Sequence, residues 1–99
     1  MSKKFGLTQE QYQLIQKILL VFLPHAKIYI FGSRARGDHK KYSDLDLAIE
    51  EKEPCMQKTL TQIQENFDQS FLPFKVDLLE LSQMNPEFKK SIAEDLKKF

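Results

Sequence analysis

The chain has 99 residues, of which 41% are hydrophobic and 29% charged, the balance of a single globular domain. The formal net charge of +1 excludes a broad positive field for nucleic acid or membrane surfaces. A single cysteine, Cys55, excludes an internal disulfide and a thiolate metal cage, and it favours a reducing compartment. The longest apolar run, Ile18 to Leu23, is far shorter than the roughly 20 residues that span a bilayer. We therefore expect one cytoplasmic domain over residues 1–99, without a signal peptide.

The first half of the chain predicts a helix and a strand. The helix begins at Thr8, because Gln11 follows at the capping-box spacing, and Pro24 ends it. Its apolar residues form two adjacent stripes, so the helix is either deeply packed or partly offered to a partner. Lys27–Phe31 is β-branched and aromatic, and it predicts a short buried strand that ends at Gly32.

The second half predicts two more strands and two helices. Alternation over Asp44–Glu50 indicates a strand, a helix opened by Pro54 follows, and Phe74–Leu81 indicates the third strand. The last helix begins at Asn85 as its N-cap and carries an apolar stripe as far as Phe99. The predicted fold class is therefore α/β (α+β). The last helix should expose charges spaced four residues apart: Lys90, Glu94 and Lys98.

The loop after the first strand has the features of a phosphate site. Gly32 lets the backbone turn sharply and approach a ligand, and Ser33 offers a hydroxyl and an N–H at the start of a short helix. The basic charge of the chain is concentrated here, and a polyanion such as a triphosphate is its natural ligand. The charged residues of this loop are Arg34, Arg36, Lys40 and Lys41 against Asp38.

Paired carboxylates follow this loop. Asp44 and Asp46 lie two apart on a strand, so we expect them to share a face, where the two carboxylates repel each other. A divalent cation removes that cost, and Mg²⁺ prefers one or two carboxylates together with substrate phosphates. Asp77 on the third strand supplies a third carboxylate. Two metal ions there would stabilise an in-line displacement at phosphorus, with the attacking hydroxyl deprotonated beside Asp77.

The combined pattern resembles the DNA polymerase β-type nucleotidyltransferase superfamily. Its signature is Gly-Ser-x-x-x-Gly, then a strand with Asp-x-Asp, then a third aspartate on a later strand. Arg36 matches an arginine that many members carry just before the second glycine. Gly-Ser-Arg-Ala-Arg-Gly with Ser-Asp-Leu-Asp-Leu looks most like the minimal nucleotidyltransferases of prokaryotes, and the likeness covers nearly the whole chain. The signature residues here are Gly32, Ser33, Gly37, Asp44, Asp46 and Asp77.

The resemblance implies a small mixed three-stranded sheet flanked by about four helices. It implies ATP as substrate and two Mg²⁺ ions at the three aspartates. It further implies a helical HEPN-type partner protein, on which the chain acts as an antitoxin by transferring AMP to a tyrosine. The phosphate-binding residues it implies are Gly32, Ser33, Arg34, Arg36 and Gly37.

Three hypotheses stay open: an active protein adenylyltransferase, a non-catalytic nucleotide-binding antitoxin, and a small-molecule nucleotidyltransferase completed by a second chain. The three aspartates favour chemistry. The length leaves no room for an acceptor domain, which disfavours the third hypothesis and predicts a homo- or hetero-oligomer. No basic groove indicates a nucleic-acid template, and no segment indicates a membrane. Candidate partner contacts are the apolar face of the first helix and Phe71, Phe74, Phe88 and Phe99, although core packing is the favoured interpretation for each residue taken singly.

The remaining chemically active side chains give weaker signals. His25 and His39 share no metal-ligand spacing, so we predict that both lie at the surface, where His39 could touch a phosphate. Tyr42 flanks the metal strand, where it could stack on a ligand or cap the loop. Cys55 has no paired base in the sequence and is expected to be a small filler.

Overall fold

A computed structural model describes residues 5–51 and 57–99. The element order agrees with the prediction up to residue 92, with a short helix after Gly32. Pro54, Cys55 and Met56, where we placed the start of the third helix, lie outside the described residues. The elements are α1 (Gln9–Phe22), β1 (Lys27–Phe31), α2 (Ser33–Arg36), β2 (Leu45–Glu50), α3 (Gln57–Asp68), β3 (Val76–Glu80), a 3₁₀ turn (Leu81–Gln83), α4 (Pro86–Ile92) and β4 (Lys97–Lys98).

Helix α1 begins with the predicted capping box. The Gln11 N–H donates to Thr8 Oγ1 at 3.1 Å, and the Thr8 N–H donates to Gln11 Oε1 at 2.9 Å. One face of the helix is buried in the core, while Leu20 and Val21 near its end are exposed. Only part of the predicted apolar girth is therefore packed. Within the described ranges no helix is long and apolar enough to cross a membrane.

The sheet is mixed, as expected, but it has four strands rather than three, in the order β3-β2-β1-β4. β1 is antiparallel to β2 and β4, while β2 and β3 are parallel. Helices α1 and α3 bury one face of the sheet together with Leu45, Leu47 and Ile49 of β2. On the other face a smaller cluster gathers Ala48 and Ile92, and Asp46 shares that face by alternation. The thinly covered face of the sheet therefore carries the acidic side chain.

The prediction that the last helix reaches Phe99 is wrong. α4 ends at Ile92, and the chain then returns along the open edge of β1 as β4, where the Phe99 N–H donates to Ile28 O at 3.0 Å. Phe99 packs against Tyr12 in the core beneath α1, whereas Ile92 belongs to the cluster on the opposite face. One helix could not place both residues, and so the expected shared face of Lys90, Glu94 and Lys98 does not form.

The four phenylalanines considered as partner contacts divide evenly. Phe71 and Phe88 are exposed, and so they remain available to a partner. Phe99 is buried in the main core, and Phe74 is half-buried beneath a guanidinium. For these two residues the packing alternative describes the structure.

Candidate active site

Two glycines bound the single turn of α2. Gly32, at φ 78° and ψ −159°, adopts a conformation that side-chain-bearing residues rarely reach. A Cβ there would lie 2.5 Å from Asp46 Oδ2, so only glycine allows the turn to approach this carboxylate so closely. The turn closes where the Gly37 N–H donates to Ser33 O at 2.9 Å. The start of α2 thereby lies directly against Asp46.

The carboxylates converge through the sheet register. Asp46 of β2 lies between Phe31 of β1 and Asp77 of β3, its paired residues on either side. In-register neighbours point to the same face of the sheet, so Asp46 and Asp77 are adjacent. Asp44 precedes β2 by one residue and is exposed. The pKa of Asp46 is raised, first by burial and then by the charges of Asp77 and Asp44, while Arg36 opposes the rise.

The donor set fits a magnesium ion shared with a substrate. Across residues 5–51 and 57–99 no three His, Cys, Asp or Glu side chains are already arranged to hold a metal ion. Asp46 and Asp77 supply two adjacent carboxylates, and their mutual repulsion favours any cation that comes between them. One or two carboxylates completed by phosphate oxygens is the coordination that Mg²⁺ prefers. The residues therefore fit the ion in the presence of a triphosphate rather than as a closed protein cage.

The placement of Arg34 corrects its predicted role as a phosphate ligand. Its side chain is buried, with 2% of the residue exposed, and its guanidinium lies 4.3 Å from the Phe74 ring centre. Nε donates to Ser43 O at 3.0 Å, Nη1 to Phe5 O at 3.0 Å and Nη2 to Lys41 O at 3.3 Å. These bonds tie α2 to the segment before Asp44. Arg34 is thus a structural residue of the loop.

Arg36 is exposed, in contrast, and its position suits the predicted contact with phosphate. Its Nε donates to Asp38 Oδ2 at 3.2 Å and its Nη1 to Asp95 Oδ2 at 3.0 Å. These hydrogen bonds, that to Asp95 foremost, raise the pKa of Arg36. The side chain is fixed at the rim of the site, close enough to Asp46 for its charge to act there. The predicted phosphate role of Arg36, like those of Gly32, Ser33 and Gly37, stays a prediction.

The sequence analysis missed two residues of the C-terminal segment. Besides Asp95, Lys97 reaches the loop, since its Nζ donates to Ala35 O at 2.7 Å. The contacts span 59 and 62 positions along the chain, so no local pattern indicates them. The hydrophobic residues near the C-terminus could have indicated a strand that returns to the sheet, but we assigned them to the last helix.

The last two predictions for this loop concern the positions of His39 and Tyr42. The His39 ring packs over Gly6, and its Nδ1 is buried with no hydrogen-bond partner among the described residues, so the residue is half-buried rather than fully at the surface as predicted. Tyr42 is exposed, with Lys41 Nζ 5.4 Å from its ring centre. Its exposure leaves both the stacking and the capping interpretation open.

The mixed sheet, with Asp46 paired to Asp77 beside the Gly-Ser turn, is the arrangement expected of the nucleotidyltransferase class of fold. Residues 13–99 match the family described as nucleotidyltransferase domain, and the chain belongs to that family. It is 37% identical over 91 residues to "Probable protein adenylyltransferase MntA" of Haemophilus influenzae, covering 92% of this chain and 80% of that protein. The prediction of a nucleotidyltransferase is thereby confirmed.

Solved structures agree on the fold. A crystal structure described as a toxin-antitoxin with AMP-PNP superposes with a TM-score of 0.72 at 24% identity, covering 87% of this chain and 69% of that one. A mutant of the toxin-antitoxin MntA-HpeT gives a TM-score of 0.71 at 24% identity, covering 89% and 70%. At this identity the likeness is one of fold, which matches the mixed sheet and four helices described above.

Proposed function

We propose that this nucleotidyltransferase transfers AMP from ATP to a hydroxyl group of a partner protein and that it requires Mg²⁺. The observation that carries the proposal is the register of Asp46 with Asp77 on one sheet face, with the Gly32 turn against Asp46. This geometry supports the proposal, because it puts the start of α2 directly beside two carboxylates. Asp46 and Asp77 would hold Mg²⁺, which would supply charge neutralisation for the triphosphate and for the pyrophosphate that leaves.

The residues have distinct tasks in this reaction. Ser33 holds the triphosphate at the start of α2 through its hydroxyl and its N–H, and Arg36 holds it through its guanidinium. Asp46 and Asp77, with Asp44 from the exposed loop, hold the metal. The acceptor oxygen bonds to the α-phosphorus as the bond to pyrophosphate breaks, and the acceptor proton leaves on the side of Asp77. The product is an AMP ester of the acceptor, and pyrophosphate is released.

The partner is inferred from the relatives. The Haemophilus influenzae relative carries the name of a protein adenylyltransferase, and both solved structures are described as toxin-antitoxin complexes. We propose by analogy that the chain is the antitoxin of a helical HEPN-type toxin and that it modifies a tyrosine. Exposed apolar side chains at two places on the surface, Leu20 with Val21 and Phe71, are compatible with a protein partner.

Intact-mass spectrometry of the co-expressed partner tests the reaction. The wild-type pair should yield a partner whose mass rises by one or more AMP units, and the adducts should disappear with Asp46→Asn or with EDTA in a purified reaction. Asp68→Asn, an equal change at the exposed end of α3, is the matched control and should leave the adducts intact. A wild-type partner that is bound and silenced without any adduct would replace this proposal with an antitoxin that acts by contact alone.

A further inference from the structure

The C-terminal segment after α4 braces the Gly-Ser turn from the side opposite the carboxylates. β4 pairs with β1, the strand that leads directly into Gly32, through Ile30 and Lys97. From this strand Lys97 Nζ reaches Ala35 O at 2.7 Å, and just before it Asp95 reaches Arg36 at 3.0 Å. Two side chains of one short segment thus hold the same helical turn.

The contact between Asp95 and Arg36 has the geometry of a fixed, charge-assisted hydrogen bond. Its 3.0 Å length is close to the range of strong N–H to carboxylate bonds, and the Asp95 side chain is only 24% exposed. Asp95 is itself held, because its N–H donates to Ile92 O at 2.9 Å. The Nε of the same guanidinium donates to Asp38 Oδ2 at 3.2 Å. Among the described residues these contacts occupy two of the five N–H groups of Arg36, which leaves the others for a ligand.

The orientation of Arg36 matters because, without Asp95, only the exposed carboxylate of Asp38 would hold the side chain. A half-exposed arginine at the end of a four-residue helix would sample many rotamers, and ordering it only on ligand binding costs affinity. Asp95 orders the Arg36 side chain before the ligand binds, so less conformational entropy is lost on binding. It does so from the turn between α4 and β4.

We propose that Asp95 is a positioning residue for the triphosphate, which it serves by orienting the Arg36 guanidinium toward the phosphates. The inference rests on the proposed function, since it assumes that Arg36 binds a triphosphate. It makes a prediction opposite to that of simple electrostatics. Removing the negative charge of Asp95 near an anion site should strengthen anion binding if charge alone mattered, whereas loss of orientation weakens it.

Calorimetric titration of the full chain with Mg²⁺ and a non-hydrolysable ATP analogue separates these outcomes. Asp95→Asn and Asp95→Ala should weaken binding roughly tenfold, the lower end of what removing an outer partner costs at metal sites. Asp95→Glu should restore most of the affinity. Glu94→Gln removes the same charge from the exposed neighbouring residue and should leave affinity unchanged. In transfer assays the Asp95→Asn loss should appear mainly in KM for ATP.

A second measurement reports the contact without any nucleotide. The Arg36 Nη1–H signal in ¹⁵N nuclear magnetic resonance should exchange slowly with water in the wild type and in Glu94→Gln, and faster in Asp95→Asn, because Nη1 is the group that donates to Asp95. Wild-type binding with unchanged or tighter binding by Asp95→Asn would overturn this inference alone. A wild type that binds no nucleotide would overturn the proposed function and this inference with it.

Discussion

Two arginines of the same Gly-Ser turn stand in opposite environments. Arg34 is buried, with its guanidinium on three backbone carbonyls and over the Phe74 ring. Arg36 has 46% of its side chain exposed and contacts two carboxylates at the rim of the site. The first holds the loop that precedes the aspartates, and the second is available to a ligand. A motif that the sequence presents as one basic patch therefore divides into a buried, structural half and an exposed half.

The helix geometry explains the division. Successive residues of a helix are rotated by about 100°, so Arg34 and Arg36 project in directions that differ by about 200°. One direction leads beneath the loop toward Phe5 and Ser43, and the other leads to the surface and the C-terminal segment. The local charge of this loop consequently overstates the number of cations that a triphosphate can meet.

The largest expected effect is the loss of stability in Arg34→Ala. The substitution leaves three backbone carbonyls without their charged donor and removes the contact with Phe74, and we expect it to cost about 3 kcal/mol or more. Urea unfolding followed by circular dichroism measures the change. Arg36→Ala is the matched control and should unfold close to the wild type. Equal midpoints for the wild type and Arg34→Ala would refute the structural half of the comparison.

The two glycines sharpen the same comparison. Gly32→Ala places a Cβ 2.5 Å from Asp46 Oδ2 in a strained backbone conformation, which should cost about 1–3 kcal/mol and displace the carboxylate. Gly37→Ala meets open space, and its left-handed conformation alone should cost about 1–2 kcal/mol. Transfer assays should therefore show a larger loss of activity in Gly32→Ala than in Gly37→Ala. Similar activity in both variants would show that the approach to Asp46 is unimportant.

The sequence predicts those parts of the molecule that local patterns encode. The capping box of Thr8, the strand before Gly32 and the alternation around Asp46 follow from residues a few positions apart, and they place the main site residues. Arg34 and Asp95 could not be assigned in this way, because their roles depend on partners up to 59 positions away. The same holds for β4, whose two residues form a strand only because the edge of β1 is open to them.

The ionisation of Asp46 should have a smaller, pH-dependent effect on the stability of the fold. Because the pKa of Asp46 is raised in the folded protein, its ionised form destabilises the fold at pH values above that pKa. In EDTA at neutral pH, Asp46→Asn should therefore be more stable than the wild type while lacking activity. The advantage should shrink as the pH falls from the raised pKa to the ordinary aspartate range, below which both folded and unfolded states are protonated.

Urea unfolding at a series of pH values, with Asp68→Asn as the control for the amide change at an exposed site, measures this difference. A stability difference between Asp46→Asn and the wild type that stays constant across the acidic range would contradict an origin in the ionisation of Asp46. The comparison with added Mg²⁺ and nucleotide adds a second check. Ligands that bind the folded wild type through Asp46 should reverse the order of stability, since only the wild type gains from them.

The smallest expected effect on stability belongs to the exposed half of the motif. The Arg36–Asp38 pair lies at 3.2 Å with both side chains largely in water, where screening and side-chain entropy cancel most of the attraction. Asp38→Asn should leave the urea midpoint at its wild-type value, at low and high salt alike. Because Asp95 makes the shorter and less exposed of the two contacts with Arg36, nucleotide affinity should fall less in Asp38→Asn than in Asp95→Asn. A drop in midpoint comparable to that of Arg34→Ala would mean that both arginines hold the loop together.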